Sequence, residues 1–302
     1  MKSLKGRDII SIDDFNRSEI LYIFKIAKKY EKKVNPNLLK GKIVATLFFE
    51  PSTRTHQSFS SAAQRLGAGV IGFSNISSTS INKGESFSDT LKIMEGYSDL
   101  LVLRHPDSGS AKIAADTLNI PVINAGDGPN HHPTQTLLDL YTIQKKFKRL
   151  NNLKIAFVGD PKHYRTFHGL VLGLNKFGTN KIYGISPKGL EMPPEFKNPN
   201  YIDDVIDMRK LNKNLSEIKP DVICAGRIPK EYIKGDAGKY SYKIDQKTLS
   251  ILPNYSIIMH PLPRAGEIDP LIDSSPMAVY FEQAKNGLYI RMALLALILG
   301  TG

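Results

Sequence analysis

The 302-residue chain has one cysteine, no tryptophan and far fewer acidic than basic residues. With Cys224 alone an internal disulfide is excluded, which fits a reducing compartment. The longest apolar run near the end, residues 292–299, is much shorter than the roughly 20 residues of a membrane-spanning helix. The first residues also lack the apolar core of a signal peptide. We therefore expect a cytoplasmic protein with no membrane partner.

The charge balance is basic, with 41 Lys and Arg against 29 Asp and Glu and a formal net charge of +12. Such a balance favours anionic partners, either nucleic acids or small phosphates and carboxylates. Much of the excess lies in lysine runs at 25–33 and 145–148, which are typical of solvated helix faces. Zinc-finger spacing, an RNP aromatic string and basic heptads are absent from the sequence. We expect no nucleic-acid partner, and keep a basic nucleic-acid-binding α/β protein as the alternative class, which predicts salt-sensitive binding.

Short β-branched runs alternate with helical stretches along the whole chain. Strands are predicted at 43–49, 69–73, 99–104, 120–124, 153–159, 181–185, 201–206, 221–225 and 256–260. Helices are predicted from about Asp13, at 134–148, and at 282–299, the last apolar on almost every side and therefore buried. This alternation is typical of parallel sheets covered by helices on both faces. We predict an α/β fold of two doubly wound parallel-sheet domains, joined by a long interdomain helix and a returning C-terminal helix. The predicted domains are residues 1–147 plus 285–302, and residues 148–284.

The most specific motif is Glu-Pro-Ser-Thr-Arg-Thr at residues 50–55, between an apolar strand and an amphipathic helix. A helix N-terminus presents unpaired N–H donors and a partial positive charge. Three hydroxyls and one guanidinium in that first turn make a site for a phosphate-sized anion. An ordinary Ser/Thr N-cap with a solvent-facing arginine is the plainer alternative.

Further polar clusters follow other predicted strands: Arg-His-Pro at 104–106, His-Pro-Thr-Gln at 132–135, residues 159–165, Arg227, and His-Pro-Leu-Pro-Arg at 260–264. Ligands of open parallel sheets bind beyond the carboxyl ends of the strands, where these clusters lie. The segment after Gly159 lacks Gly-x-Gly-x-x-Gly, so a dinucleotide is poorly supported. The pair His131-His132 has no acidic or cysteine partner at metal-binding spacing, so we predict no metal and no cofactor.

In this order and spacing, these motifs resemble the carbamoyltransferase family from about residue 4 to the C-terminus. They resemble its aspartate-specific branch more closely than the ornithine-specific one, which typically reads His-Cys-Leu-Pro where this chain reads His-Pro-Leu-Pro. The resemblance implies transfer of the carbamoyl group of carbamoyl phosphate to the α-amine of L-aspartate. The products would be N-carbamoyl-L-aspartate and phosphate, in de novo pyrimidine biosynthesis. A carbamoyltransferase with another amino-acid acceptor, such as ornithine, is the alternative within the class.

The resemblance also implies roles for individual residues. Carbamoyl phosphate binding is expected from Ser52, Thr53, Arg54, Thr55, Arg104, His132, Gln135 and the backbone carbonyls of Pro261 and Leu262. The catalytic residues among these would be Thr55, Arg104, His132 and Gln135. Aspartate binding is expected from Lys83, Arg165 and Arg227. In the family, Ser80 and Lys83 act in the site of a neighbouring subunit.

Charge supports these roles, because about four negative charges in a site that excludes water require several fixed cations. The chain departs from the family where Pro229 and Tyr232 replace a usual Gln and Arg, so Glu50 would depend on Arg165 alone in the closed state. The family forms homotrimers with shared active sites, and many microbial members pair with a separate zinc-bearing regulatory chain. This sequence has no Cys-rich zinc module, so such a partner would be another chain.

Overall fold

The computed structural model describes residues 3–76, 79–197, 201–205, 210–228 and 241–300. Every predicted strand is found in these residues: β1 Ile43–Phe48, β2 Gly69–Phe73, β3 Leu100–His105, β4 Val122–Asp127, β5 Lys154–Val158, β6 Lys181–Ser186, β7 Tyr201–Val205, β8 Val222–Ala225 and β9 Ile257–Met259. The α-helices are α1 Arg17–Lys32, α2 Thr53–Arg65, α3 Phe87–Tyr97, α4 Ser110–Thr117, α5 Pro133–Phe147, α6 Arg165–Asn175, α7 Leu211–Ile218, α8 Gln246–Ile251 and α9 Tyr280–Leu299. The sequence-based α/β prediction is therefore confirmed.

The chain divides into two compact units, Met1–Leu138 with Lys285–Gly302, and Asp139–Ala284. The first unit contains a parallel four-stranded sheet in the order β2-β1-β3-β4. Its strands are apolar because helices cover both faces; Val44 to Phe48, for example, are all buried. The domain limits predicted at 147/148 and 284/285 stay predictions, as does the assignment of one substrate to each domain.

The second unit contains a parallel five-stranded sheet in the order β7-β6-β5-β8-β9. Its core joins β5, β8 and β9 to α7 through residues such as Leu215, Ile223 and Ile258, all with no exposed surface. Cys224 on β8 is buried, and burial raises the pKa of its thiol well above the usual value.

The helix expected from Asp13 begins later. Ile12–Asp14 form a separate 3-10 turn, in which the Asp14 carboxylate accepts the N–H groups of Ile10 and Ser11 at 2.7 and 2.8 Å. The helix α1 then starts at Arg17 with Asn16 as its N-cap. The apolar periodicity alone indicated an earlier start, but side-chain hydrogen bonds at Ser11, Asp14 and Asn16 determine where the helix begins.

The last helix, α9, is buried along most of its length, as its sequence predicts; Ile290, Leu294 and Leu295 have no exposed surface. The lysines at 25–33 and at 146 and 148 are exposed, in agreement with the solvated-face interpretation. Within the described residues, none of the helices combines the length and apolarity needed to cross a membrane.

Candidate active site

In the first sheet the strand order reverses between β1 and β3, which lie side by side. Ligands of open α/β sheets bind beyond the carboxyl ends at such a reversal. Strand pairing places Phe48 beside Arg104, and His105 beside Asp127. The segments that leave β1, β3 and β4 therefore start at one edge of the sheet. These segments carry the predicted residues 52–55, 104, and 132–135.

The motif at residues 50–55 forms the start of α2. Ser52 is the N-cap residue, but its side chain makes no capping hydrogen bond, and the first turn contains no acidic residue. Elsewhere the chain caps helices with side chains, as Asn16 does for α1 and Ser86 for α3. Thr55 is buried, and partial burial lowers the pKa of the Arg54 guanidinium. The start of α2 thus combines backbone donors, hydroxyls and a partly desolvated cation, as an anion site requires.

Arg104 lies at the end of β3 with its side chain only 13 % exposed. Its Nη1 donates to the carbonyl of Ala125 at 3.1 Å, and its Nη2 lies 2.6 Å from Oε1 of Glu50. The guanidinium is therefore fixed by two neighbouring segments. The pairing of Glu50 with Arg165 in the closed state stays a prediction; within the first unit Glu50 contacts Arg104. An anion that arrives at Arg104 would compete with this carboxylate.

The turn between β4 and α5 is organised by Asp127, a residue that the sequence analysis did not single out. Its buried carboxylate accepts four N–H groups, at distances between 2.8 and 3.1 Å. The donors are the backbone of Gly109 and His131 and the side chains of Asn124 and Asn130. The only cue in the sequence is the cluster of Asn, Asp and Gly at 124–130, which is typical of side-chain-stabilised turns. This network positions the segment that leads directly to His132.

His132 is buried, and its Nδ1 lies 3.5 Å from the hydroxyl of Thr134 at the start of α5. Gln135 is half-buried on the same turn, and its N–H donates to the carbonyl of His132 at 2.9 Å. His131 contributes its backbone N–H and carbonyl to the Asp127 network. Among the described residues, no cluster of three or more His, Cys, Asp or Glu is suited to hold a metal ion.

His105, the middle residue of Arg-His-Pro, is held by hydrogen bonds within its own loop and by contacts with aromatic rings. Its Nδ1 accepts the N–H of Asp107 at 3.1 Å and lies 2.9 Å from the Ser110 hydroxyl. Its ring packs against Phe49 and Phe87. Burial lowers the pKa of the imidazole, so the neutral ring is favoured. The contacts of His105 thus lie within its own loop and the aromatic cluster, and the role of Arg104 stays a prediction.

The second unit repeats the topological reversal, between β5 and β8. Gly159 directly follows β5 with φ +127°, and a Cβ at this position would lie 2.1 Å from the carbonyl oxygen of Gly226. Only glycine therefore permits the two strand ends to approach each other so closely. Arg165 is the half-buried first residue of α6, which starts without a side-chain cap or an acidic first turn. Arg227 is exposed just after β8.

Two tyrosines fix the backbone beside these arginines. Tyr164, whose hydroxyl pKa is raised by burial, accepts the N–H of Arg227 at 3.2 Å. Tyr242 donates its hydroxyl to the carbonyl of Gly226 at 2.7 Å and accepts the Gly226 N–H at 3.1 Å. The backbone that carries Arg227 is thus held firmly, while its side chain is directed outward. Pro229 and Tyr232, the departures from the family pattern, lie outside the described residues.

The segment 260–267 contains a cis peptide bond, at Leu262–Pro263. His260 Nδ1 accepts the Leu262 N–H at 2.8 Å, so the ring proton lies on Nε2, 2.7 Å from Oε1 of Glu267. Burial would raise the pKa of the Glu267 carboxyl, but His260 and the backbone N–H of Ala265 keep it below its usual value. This buried pair fixes the backbone of Pro261 and Leu262, whose carbonyls were the predicted contacts.

The two residues predicted to act in a neighbouring subunit's site lie in the first unit, on the segment before α3. Ser80 and Lys83 are exposed, at the two ends of a 3-10 turn in the segment before α3.

A cavity of about 280 Å³ lies in the second unit at the amino ends of β5 and β6, near Lys154 and Lys181. That edge is opposite the carboxyl ends that carry Arg165 and Arg227, so the cavity is separate from the candidate site.

Comparison with known proteins agrees with this geometry. The family model "Aspartate/ornithine carbamoyltransferase, carbamoyl-P binding domain" matches residues 7–145, and the model of the "Asp/Orn binding domain" matches residues 151–298. The aspartate carbamoyltransferase catalytic subunit of Thermococcus onnurineus is 46% identical, with 98% of each chain covered. That of Buchnera aphidicola is 44% identical, with 98% of this chain and 97% of the relative covered.

A solved structure shows the same likeness. The aspartate transcarbamoylase of Trypanosoma cruzi, in complex with carbamoyl aspartate and phosphate, superimposes with a TM-score of 0.89 at 33% identity. The match covers 98% of this chain and 97% of that one. The chain described here belongs to the aspartate/ornithine carbamoyltransferase family.

Proposed function

We propose that this chain is an enzyme that transfers the carbamoyl group of carbamoyl phosphate to the α-amine of L-aspartate. The products are N-carbamoyl-L-aspartate and phosphate. The observation that carries the proposal is the start of α2, where uncapped backbone donors and Arg54 lie at the same sheet edge as Arg104. Full-length similarity to aspartate carbamoyltransferase catalytic subunits favours aspartate over ornithine as the acceptor.

Carbamoyl phosphate binding is assigned first to the motif at 52–55. The phosphoryl oxygens accept hydrogen bonds from the first turn of α2 and from the guanidinium of Arg54, as anions do at helix N-termini. Arg104, at the end of the neighbouring strand, supplies a second guanidinium. Its planar fork suits phosphate better than the point charge of a lysine.

The reaction needs donors for the carbamoyl carbonyl oxygen. When the aspartate amine attacks the carbamoyl carbon, this oxygen becomes anionic, and fixed donors directed at it lower the barrier. Thr55, Arg104 and His132 are assigned this role, and Gln135 binds the carbamoyl amide. The C–O bond to phosphate then breaks, the bonding pair leaves with the phosphate, and the amine proton is taken up by the departing phosphate.

Aspartate binding is assigned to the second unit and to the segment before α3. Arg165 and Arg227 neutralise the two carboxylates, with the backbone of Arg227 held by Tyr164. The rigid segment 260–267 directs the carbonyls of Pro261 and Leu262 at the reacting amino and amide groups. Lys83 contributes from the exposed turn, together with Ser80.

We also propose that the chain works as a homotrimer in which Ser80 and Lys83 complete the site of a neighbouring subunit. Both side chains are exposed in the isolated chain and are therefore accessible to a second copy. The relatives are described as catalytic subunits, which also leaves a place for a separate regulatory chain. Sedimentation of the purified chain alone tests the trimer, and co-purification from the native source tests the partner.

The decisive experiment for the activity uses the purified chain with carbamoyl phosphate and either L-aspartate or L-ornithine. We expect carbamoyl aspartate and an equal amount of phosphate with the first acceptor, and no product with the second. A preference for ornithine, or hydrolysis of carbamoyl phosphate without transfer, would contradict the proposal. Salt-sensitive binding to DNA or RNA without turnover would favour the nucleic-acid alternative instead.

A further inference from the structure

The hydroxyl of Thr134 connects a buried arginine to the ring of His132. Thr134 has no exposed surface, and Arg291 on α9 and His132 are 3 % and 6 % exposed. The Thr134 oxygen lies 3.4 Å from Arg291 Nη2 and 3.5 Å from His132 Nδ1. Both separations lie at the long end of the hydrogen-bond range, as is common for catalytic groups before substrate binds.

The two partners of this hydroxyl are not equivalent. A guanidinium has five donors and no acceptor, so Arg291 donates to the Thr134 oxygen. The hydroxyl proton then needs an acceptor, because a buried donor without one is costly. Across the described part of the chain, the hydroxyl's hydrogen bonds are these two, and only the imidazole is able to accept.

We propose that Arg291 and Thr134 fix the tautomer of His132, with Nδ1 unprotonated and the ring proton on Nε2. Arg291 donates to Thr134, and Thr134 donates to His132 Nδ1. The two residues are positioning residues, since they act through His132. The competing arrangement has Thr134 accept from both neighbours, which leaves its own proton buried without a partner.

The tautomer decides what the ring offers on its other side. With Nδ1 occupied as an acceptor, Nε2–H is a neutral hydrogen-bond donor. This is the form that the proposed function needs in order to stabilise an oxyanion on the carbamoyl group. The consequence for catalysis rests on that proposed function, whereas the tautomer itself does not.

The test is solid-state ¹⁵N NMR of the full-length protein labelled at histidine, without substrate. The chain has 7 histidines, and the His132→Gln variant identifies the resonances of His132 by their loss. We expect an unprotonated Nδ1 and a protonated Nε2. Thr134→Val, which removes the hydroxyl at nearly constant volume, should give a mixture of tautomers. Thr134→Ser should preserve the wild-type spectrum.

Thr136→Val is the matched control. Thr136 is also buried on α5, two residues further on, and no hydrogen bond among the described residues joins its side chain to His132. This variant should leave both the tautomer and the kinetics unchanged. Thr134→Val should lower kcat, by up to the roughly 10²-fold that loss of one oxyanion donor costs, with KM for carbamoyl phosphate within about twofold. A general loss of packing would instead change both parameters and the thermal midpoint.

A protonated Nδ1 in the wild-type spectrum would overturn the inference, even if Thr134→Val fails to fold. An unchanged tautomer in folded Thr134→Val would overturn it too. Failure of the proposed function is a separate result: the chain would then turn over no carbamoyl phosphate and aspartate, while the ring spectrum would still report the arrangement of Arg291, Thr134 and His132.

Discussion

Replacement of Asp127 by asparagine tests whether the turn before His132 depends on a buried carboxylate. The change keeps the size of the side chain and replaces one acceptor oxygen with an NH₂ donor. One carboxylate oxygen accepts Asn124 Nδ2 and the N–H of His131, and the other accepts Asn130 Nδ2 and the N–H of Gly109. The new amide must therefore turn a donor toward one of these two pairs.

The structure shows which of the two pairs of hydrogen bonds the new NH₂ group would disturb. Asn124 is held in place, because its own oxygen accepts the N–H of Gly126 at 2.7 Å. Asn130 is free to rotate its amide and accept from the new NH₂. The least costly orientation therefore leaves one partly buried backbone donor, the N–H of Gly109, without a partner. The three other hydrogen bonds survive in a weaker form, because the acceptor or donor at position 127 is no longer charged.

The expected cost follows from these losses. An unpaired N–H costs ~1–3 kcal/mol, and each of the three bonds that lose their charge weakens by ~1 kcal/mol, so Asp127→Asn should lose about 4–6 kcal/mol of unfolding free energy. At ~2–4 °C per kcal/mol, the melting midpoint of the first unit should fall by roughly 10–20 °C. Scanning calorimetry and urea titration measure both quantities.

Asp107→Asn is the matched control, since the Asp107 side chain is 81 % exposed in the adjoining loop. A change within ~0.5 kcal/mol is expected there. If both variants melted within a degree of the wild type, the carboxylate network would not be what holds this turn. If Asp127→Asn were destabilised but kept full kcat, the network would stabilise the fold without positioning His132.

Three further outcomes are expected. Arg54→Lys should lower kcat/KM by ~10²-fold or more, because a lysine cannot reproduce the bidentate hydrogen bonds of a guanidinium. Arg65→Lys, at the other end of α2, is the control and should change kcat/KM little. Equal effects of the two substitutions would argue against an anion site at the helix start. The hydrogen bond from Arg264 lowers the pKa of Asp273 to about 2. The stability that this ion pair contributes is therefore complete above the ordinary Asp pKa of 3.8 and is lost as the pH falls from there to about 2. Asp273→Asn should remove that part of the acid unfolding profile, and a profile that keeps its shape would refute the assignment. Mixed trimers of Ser80→Ala and Arg54→Ala chains should regain some activity through one unmodified shared site, and no recovery in trimers of verified composition would refute sharing.

The sheets were predictable because burial on both faces leaves a strong local signal. The run at 43–49 is apolar without alternation, and strands such as β5 and β8 repeat this pattern between helical stretches. The helix start predicted near Asp13 was four residues too early, because the Asp14 carboxylate accepts the N–H groups of Ile10 and Ser11 and forms a separate turn there. Periodicity reports which face of a helix is buried and says little about where side-chain hydrogen bonds end it.

The candidate site was predictable only as a set of segments. Each polar cluster could be placed at a strand end, but the sequence does not show which ends are neighbours. Strand pairing puts Phe48 next to Arg104, and this explains why Glu50 contacts Arg104. Asp127 was missed for a related reason: Asn124, Asn130 and the N–H of His131 are close to it in sequence, but the N–H of Gly109 meets its carboxylate only after β3 and β4 have paired.

An uncapped helix start is not by itself a sign of function in this chain, because α4 and α7 also begin without a side-chain cap. What distinguishes α2 is the coincidence of several independent features. Its first turn holds a guanidinium and hydroxyls with no acid, it follows a strand at the topological reversal, and the neighbouring strand ends in Arg104. The helix α6 repeats this arrangement after β5, with Arg165 as its first residue. Local charge alone would destabilise both helix starts, since cations there oppose the helix dipole. Their presence at two corresponding positions is what the proposed anion sites require, because an anion bound there would reverse the sign of the local electrostatic energy.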